Sequence, residues 1–546
     1  MKNINRFTRT LFSAACLLLC VGVLGCSASA KPEPTATPIA IPTATPEPQP
    51  VAGGELYIPI SRNPFNSGGG TSASPLIVNT EEMRNMYSLV YEPLLRCDAN
   101  NRIIPSLAEK WSSDDTGRVW TIKLRANVMW QDGSRALNAD DVTYTIAQIK
   151  NLGNATYYSL AADSIETCEK VDDSTVRITM NKAGVASLYA LVFPVVCADA
   201  SIGGLNGTGP YKLAASSEET VELTANPAWW KQAPYIETIH CLPRESNEVA
   251  LDSYEAGQLN LVPTSTVSAG KYREEGVTSV LDVMTQDAEV LLINHSNSML
   301  ENPDVRKAIA YAMDRGSIVS NVYMNRAAIC DVPIPPDSFL YDATTKIYDY
   351  NADKAKSLLA SAGWTDEDGD GMVEQDGRAL HLRLLVNEST ESTYRKNAAA
   401  LIAAQLSAVG IEMEVVAAKL SIGEENGEYE QKLVSGDFDI ALAGFNLEPS
   451  GNLSPYLSSG GSRNYGKIAG SQWSELMGAA AAAKDENGMR QTQSALQQAF
   501  VQDLPFIMLY FRMNSVVYSA QIKNVSEVRA TDVLRTVSRW YMKTAE

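Results

Sequence analysis

The sequence predicts an α/β protein of more than one domain, and three observations carry that expectation. The chain has 546 residues, too many for one core when a domain takes roughly 100 to 200. From Asn302 onward, helical stretches alternate with short apolar strands, the pattern of helices layered on a sheet. Upstream, the segment 91–146 combines period-two alternation with turn and capping signals, which places a strand-rich region before the layered one.

In chain order, ELYIPI from Glu55 reads as a strand, and a loop rich in Gly and Asn leads on to Tyr91. Ser106 stands three residues before Glu109, the spacing of a capping box, so a short helix is expected over LAEKW. Asp114, Asp115 and Gly117 supply a turn. In VWTIKLR, Trp120, Ile122 and Leu124 share one face and Thr121, Lys123 and Arg125 the other, as in a half-buried strand. Asp132-Gly133 marks a hairpin turn, and Asn138 with Asp141 caps a helix whose Val142, Ile146 and Ile149 form one stripe. VRITM, VELTA and EVLLINH read as strands, and the helix EVALDSYEAG stops at Gly257. Asn302 as cap, Pro303 at the first helical position and Asp304 in the first turn start the next helix. Helices ending at Gly363 and Gly410 then alternate with strands LHLRLLV and IEMEVV, two further helices lie between Ser471 and Gln502, and LPFIMLYF and SVVYS return the chain as strands.

Composition narrows the function. The chain carries 64 acidic against 45 basic side chains, a formal charge of −19, which repels nucleic acid and anionic lipid as direct partners. Lys2, Arg6 and Arg9 precede the apolar run LFSAACLLLCVGVLG, which is shorter than the roughly 20 residues of a spanning helix, so residues 1–25 read as a cleaved signal peptide. Val23-Leu24-Gly25-Cys26 resembles a lipobox, making Cys26 the expected lipidated N-terminus and leaving an even more acidic mature chain. Residues 26–50 form the anchor and a Pro/Thr-rich spacer that extends at about 3.1 Å per residue. Cys97, Cys168, Cys197, Cys241 and Cys330 are scattered with no C-x-x-C pair, and His240, His295 and His381 are far apart, so neither a transition-metal site nor a Ser-His-Asp hydrolase is legible.

The strings YEPLLR, IIPSLAEKW, WTIKLRANVMWQDG and NADDVTYTI, followed by GTGPYKL, NPAWWKQAPYIETI, NPDVRKAIAYAMDRGSIV, YNADKAKSLLASAGW and GDFDIALAGF, resemble in this order the family 5 solute-binding proteins of bacterial ABC importers, a family of dipeptide, oligopeptide and nickel binders. The resemblance implies a two-lobed periplasmic-binding-protein-like fold (type II, cluster C) with three domains. The first is discontinuous over 51–92, 207–290 and 514–546; the second covers 93–206 and the third 291–513. Crossings near Asn294 and Phe511 are expected to form the hinge. The implied function is a membrane-tethered extracytoplasmic receptor, a monomer without cofactor or catalysis, that hands a short peptide to an ABC permease. An oligosaccharide, opine-like compound or metal chelate is the alternative ligand, and a secreted hydrolase or adhesin the alternative class.

In peptide-binding members the strand matching DIALAG ends in Gly-Trp, and an acid three residues past the Trp receives the peptide's α-amine. Here those positions fall on Phe445 and Glu448, with Asn446 between them, so the ligand site is expected at Phe445, Asn446 and Glu448. Both Phe and Glu depart from the family pattern. Asp366, Asp368, Asp370 and Glu374 have the spacing that opens a calcium loop, but the position for its bidentate acid is Gly377, so an acidic turn is expected there rather than a metal site. In GLNGTGPYK, Pro210 leads into a strand, which offers no helix N-terminus to a phosphate.

Overall fold

Residues 50–64, 74–78, 80–199, 205–388, 393–420 and 427–543 are described by a computed structural model. The expected signal peptide, Cys26 and nearly all of the spacer lie outside the described residues. Among those described, no helix is long and apolar enough to cross a membrane.

Three large cores, with a small fourth cluster around Leu251, Val262 and Val517, organise the described residues. The first lies under a four-stranded sheet in the order Glu55–Ile60, Thr238–Pro243, Val221–Ala225, Tyr211–Ser216, and gathers Leu56, Tyr87, Ile239 and Trp540. Its helix, Glu81–Val90, buries Met83, Met86, Tyr87, Leu89 and Val90. The second core packs the helix Ala139–Leu152 on a sheet in the order Ala108–Ser113, Val119–Leu124, Thr175–Met180, Ile165–Asp172, and gathers Trp120, Trp130, Ile146 and Phe193. The third surrounds a seven-stranded mixed sheet and gathers Leu291, Ile309, Leu384, Ile402 and Phe506, with the helices Pro303–Ala312, Ala352–Ser361 and Tyr394–Ser407 supplying apolar faces.

Two long strands, Thr278–Ile293 and Phe506–Ser519, run from the first core into the third. They pair antiparallel, but the register shifts between Met284, opposite Met513, and Ala288, opposite Phe511. On one side of this irregularity Val283 and Val516 pack in the first core; on the other, Leu291 and Phe506 pack in the third. Two extra residues in the first strand, four steps from Met284 to Ala288 against two from Met513 to Phe511, bend and twist the ladder, which lets one ribbon serve both cores. The strand thus changes cores before it reaches Asn294, which lies beyond the strand end and donates from Nδ2 to the carbonyls of Gly436 and Phe438 at 3.1 and 2.8 Å.

Local signals place most elements. Asn138 Oδ1 accepts from Asp140 N at 2.9 Å and Asp141 Oδ2 accepts from Asn138 N at 3.0 Å, closing the expected cap. Asn302 Oδ1 caps its helix through Asp304 N at 2.9 Å. At Gly207 a Cβ would stand 1.8 Å from the Val90 carbonyl oxygen, so the GTGPY segment recrosses the backbone where only glycine fits.

The helix expected over LAEKW is instead the strand Ala108–Ser113. It pairs with Val119–Leu124 across the turn in which Asp114 Oδ1 accepts from Val119 N at 3.2 Å. A half-buried partner strand that follows directly across the turn outweighs a capping signal on so short a segment. Ser106 Oγ, assigned to that cap, is buried without a hydrogen-bond partner.

Candidate functional site

Where the three cores approach, two adjoining cavities of about 300 and 290 Å³ open between them. The first takes Tyr87 and Tyr91 from the first core's side, Tyr158 from the second's, Tyr189, which packs against the third core, and Glu448 and Ser450. Leu160, Tyr189, Ala190, Glu448 and Ser450 also wall the second cavity. Burial pushes the Tyr91 phenol up to about 12 and the Tyr158 phenol well above its usual value, so both rings offer neutral hydroxyls at physiological pH. A concave, aromatic-walled space with a few polar groups is the ordinary form of a small-ligand site.

Glu448 follows the strand Ile440–Asn446 and enters a turn closed by Gly451 N donating to its carbonyl at 2.9 Å. Its carboxylate is held at both ends: Oε2 accepts from Ser450 Oγ at 3.0 Å and Oε1 from Asn452 Nδ2 at 3.1 Å. The turn is fixed to the helix Glu486–Asp503 by Gln493 Nε2, which donates to the Gly451 carbonyl at 3.0 Å. Both carboxylate contacts are to neutral groups, an arrangement suited to receiving a cationic group.

The other expected positions separate. Phe445 points into the third core, 3% exposed, with its ring 4.2 Å from that of Tyr456 and 5.6 Å from that of Phe506. Strand alternation puts Phe445 on the face opposite Gly444 and Asn446, so it supports the strand from behind and does not wall the cavity. Asn446 is exposed and donates from Nδ2 to Asp287 Oδ1 at 2.7 Å, also outside both cavity walls. His295, near the expected hinge, donates from Nε2 to the Pro505 carbonyl at 2.8 Å, and burial lowers its pKa.

Sequence reading missed the basic side of the first cavity. Arg84, Arg96 and Arg529 line it together with Asp532. Arg84 stacks over the Tyr157 ring at 3.9 Å. Arg96 Nε lies 3.9 Å from Asp532 Oδ2, and Arg529 Nη1 donates to the Asp98 carbonyl at 3.3 Å. These residues come from distant parts of the chain, and no local pattern in the sequence joins them.

At the acidic loop, Asp366, Asp368 and Glu374 bring carboxylate oxygens within 4.8 Å of one another, while Asp370 falls outside the group. The acids cap their own turns: Asp366 accepts from Gly369 N and Gly371 N at 2.7 and 3.1 Å, Asp370 from Met372 N at 2.8 Å, and Glu374 from Glu367 N at 2.8 Å. All five cysteines of the described residues are free.

A two-lobed α/β chain with its cleft between packed cores has the build of a bacterial extracellular solute-binding protein. The family model for bacterial extracellular solute-binding proteins, family 5, matches residues 102–466, and the chain belongs to this family of ABC-importer receptors. It is 25% identical to the oligopeptide-binding protein AppA of Bacillus subtilis over 98% of this chain and 99% of that one. It is 24% identical to the dipeptide-binding protein of Escherichia coli over 70% and 76%. Among solved structures it superposes on a nickel ABC transporter protein from Bacillus halodurans with a TM-score of 0.76 at 20% identity, over 88% of this chain and 98% of that one. It superposes on B. subtilis AppA in complex with a nonapeptide with a TM-score of 0.59 at 22% identity, over 91% and 100%. Family members are transport binding proteins that present a captured solute to a permease.

Proposed function

We propose that the chain captures a short peptide in the cavity between its three cores and delivers it to an ABC permease, without catalysing any reaction on it. The observation that carries this reading is Glu448, held at the meeting of two cleft cavities with its carboxylate accepting, among the described residues, from the neutral groups of Ser450 and Asn452. Relatives named as oligopeptide- and dipeptide-binding proteins support a peptide as the ligand. The three domains are 51–92 with 207–290 and 514–546, then 93–206, then 291–513, with the strand irregularity at Met284–Ala288 as part of the hinge. The receptor is a monomer tethered by an acylated Cys26 on the extracytoplasmic face of the membrane.

Glu448 then receives the peptide's α-ammonium. A charge-assisted hydrogen bond contributes roughly 1.5 to 3 kcal/mol net. At 1.4 kcal/mol per decade, Glu448→Gln weakens a bound tetrapeptide by about tenfold or more. N-acetylation of the peptide costs wild type a similar factor and the variant little, because both changes remove one interaction. Calorimetry that finds the two losses additive, or tight binding of acetylated peptide to wild type, removes Glu448 from the site.

A further inference from the structure

We propose that the second cavity is a pocket for one indole or phenol side chain of the bound peptide, whose N–H or O–H donates to Gln493 Oε1 in the cavity wall. This rests on the reading of the cleft as a peptide site, and it names the kind of residue that the peptide carries there.

An unpaired acceptor marks the pocket. Gln493 lies on the helix Glu486–Asp503, is 3% exposed and lines the second cavity but not the first. Its Nε2 donates to the Gly451 carbonyl at 3.0 Å; a carbonyl can only accept, so the amide's orientation is fixed and Oε1 is the atom left over. Oε1 is buried without a hydrogen-bond partner. Gly451 leaves room beside it, since a Cβ at that position would stand 3.1 Å from Oε1.

Other polar groups of this wall are engaged with one another. Ser450 Oγ and Asn452 Nδ2 donate to Glu448, and Asn452 Oδ1 accepts from Ser454 N at 3.1 Å. Ser187 Oγ accepts from Trp120 Nε1 at 3.1 Å and donates to the Gly184 carbonyl at 2.7 Å. Among the described residues, Gln493 Oε1 is the one buried side-chain polar atom of the second cavity's wall without a partner. Leaving a buried acceptor unpaired costs about 1 to 3 kcal/mol, and a ligand donor removes that cost.

The remaining wall selects the group that carries the donor. Ala190, Leu453, Met477, Ala480 and Leu496 are buried and apolar, whereas Asp163 and Lys182 are exposed. With Glu448 taken by the α-ammonium, a charged side chain would lose its hydration here without a counter-ion. An aliphatic side chain would leave Oε1 unpaired, and a small hydroxyl side chain would leave most of about 290 Å³ unfilled and forfeit its dispersion contacts. A flat ring with one donor meets both demands, and buried Trp N–H and Tyr O–H groups ordinarily find such a partner. Because Glu448 lines both cavities, a peptide held there by its ammonium has the second cavity beside it for one side chain.

The test uses alanine tetrapeptides with tryptophan at each position in turn, paired with the same peptides carrying 3-benzothienylalanine, which keeps the ring's size and replaces the N–H by sulfur. Tyrosine is paired with phenylalanine in the same way. Affinities are read by calorimetry on the full chain. Wild type should bind the donor-bearing peptide of the best pair about tenfold more tightly than its partner, and Gln493→Met should bring that ratio close to one. Loosening of the Glu448 turn in the variant affects both peptides of a pair and cancels in the ratio. If Gln493→Met does not fold, Gln493→Asn draws the acceptor back by one methylene and should lower the ratio instead. Equal binding within every pair by wild type, or a preference that survives in the Gln493 variant, overturns the pocket and leaves the peptide reading standing. No binding of any tetrapeptide overturns the peptide reading, and the pocket falls with it.

Discussion

Glu81 opens the helix Glu81–Val90, where the positive end of the helix dipole favours a carboxylate, yet its pKa is pushed up to about 7. Burial is the leading cause; Glu82 and Asp287 add like charge, and Arg84 opposes them. A carboxyl whose folded pKa exceeds its unfolded value costs nothing while protonated in both states. The cost grows from about pH 4.5 to about 7 and is complete above that. Glu81→Gln should therefore raise stability by about 3 kcal/mol at pH 8 and change it little at pH 4.5, as thermal melts at the two pH values will read. A gain that is the same at both pH values would mean that Glu81 is not shifted. At this scale the sequence named some of the residues that wall the cleft and missed others. A strand-end motif pointed to Glu448, which lines both cavities; its neighbour Phe445 turns into the third core instead, because a motif match does not specify which face of the strand a side chain takes. Arg96 and Arg529 meet only in three dimensions, 433 positions apart in the chain.

Among elements, the extended segment at Gly184 ties the second core's region to the third's. Val185 N donates to the Ala483 carbonyl at 2.7 Å, Phe339 N to the Asn100 carbonyl at 2.9 Å, and Arg102 bridges Glu486 at 2.9 Å. At Gly184 φ is 103°, and a Cβ would lie 1.9 Å from the Ala481 carbonyl oxygen, so the two backbones meet only because glycine is there. Gly184→Ala should prop the cleft open. Small-angle scattering should show wild type contracting when peptide is added and the variant failing to contract; equal contraction would show that this contact does not limit closure. Arg102→Ala removes a bridge whose partners are 43% and 46% exposed, which is worth at most about 1 kcal/mol, so its affinity loss should stay under about fivefold. The elements read correctly from sequence were those with agreeing signals, such as Asn302, Pro303 and Asp304 before the helix Pro303–Ala312. The helix Glu81–Val90 was read as part of a loop. Thr80 at its N-cap and the acidic first turn are start signals of the kind seen at Asn302, although Thr80 makes no side-chain cap hydrogen bond. That omission also hid Arg84 and Tyr87 from the site.

For the whole molecule, the two-lobed architecture was legible through family word order; of the two expected crossings, Phe511 stands opposite Ala288 at the strand irregularity, while Asn294 lies beyond the strand end. Within Thr278–Ile293 the poor strand formers Asp287, Ala288 and Glu289 fall at the irregularity, and the pairing register shows that the ribbon changes cores there. The tether is testable separately. Cys26→Ser should release the protein from the membrane fraction, since two or three acyl chains anchor far more firmly than one. Wild type recovered in the medium with residues before Cys26 intact would contradict the anchor. The central claim, a cleft that holds a peptide, is tested most directly by native mass spectrometry of the purified full chain after exposure to an equimolar library of di- to octapeptides. The account predicts one-to-one complexes with short peptides that survive chelator treatment. A chain that stays bare with every peptide, or that carries a sugar or a metal chelate in their place, would contradict it.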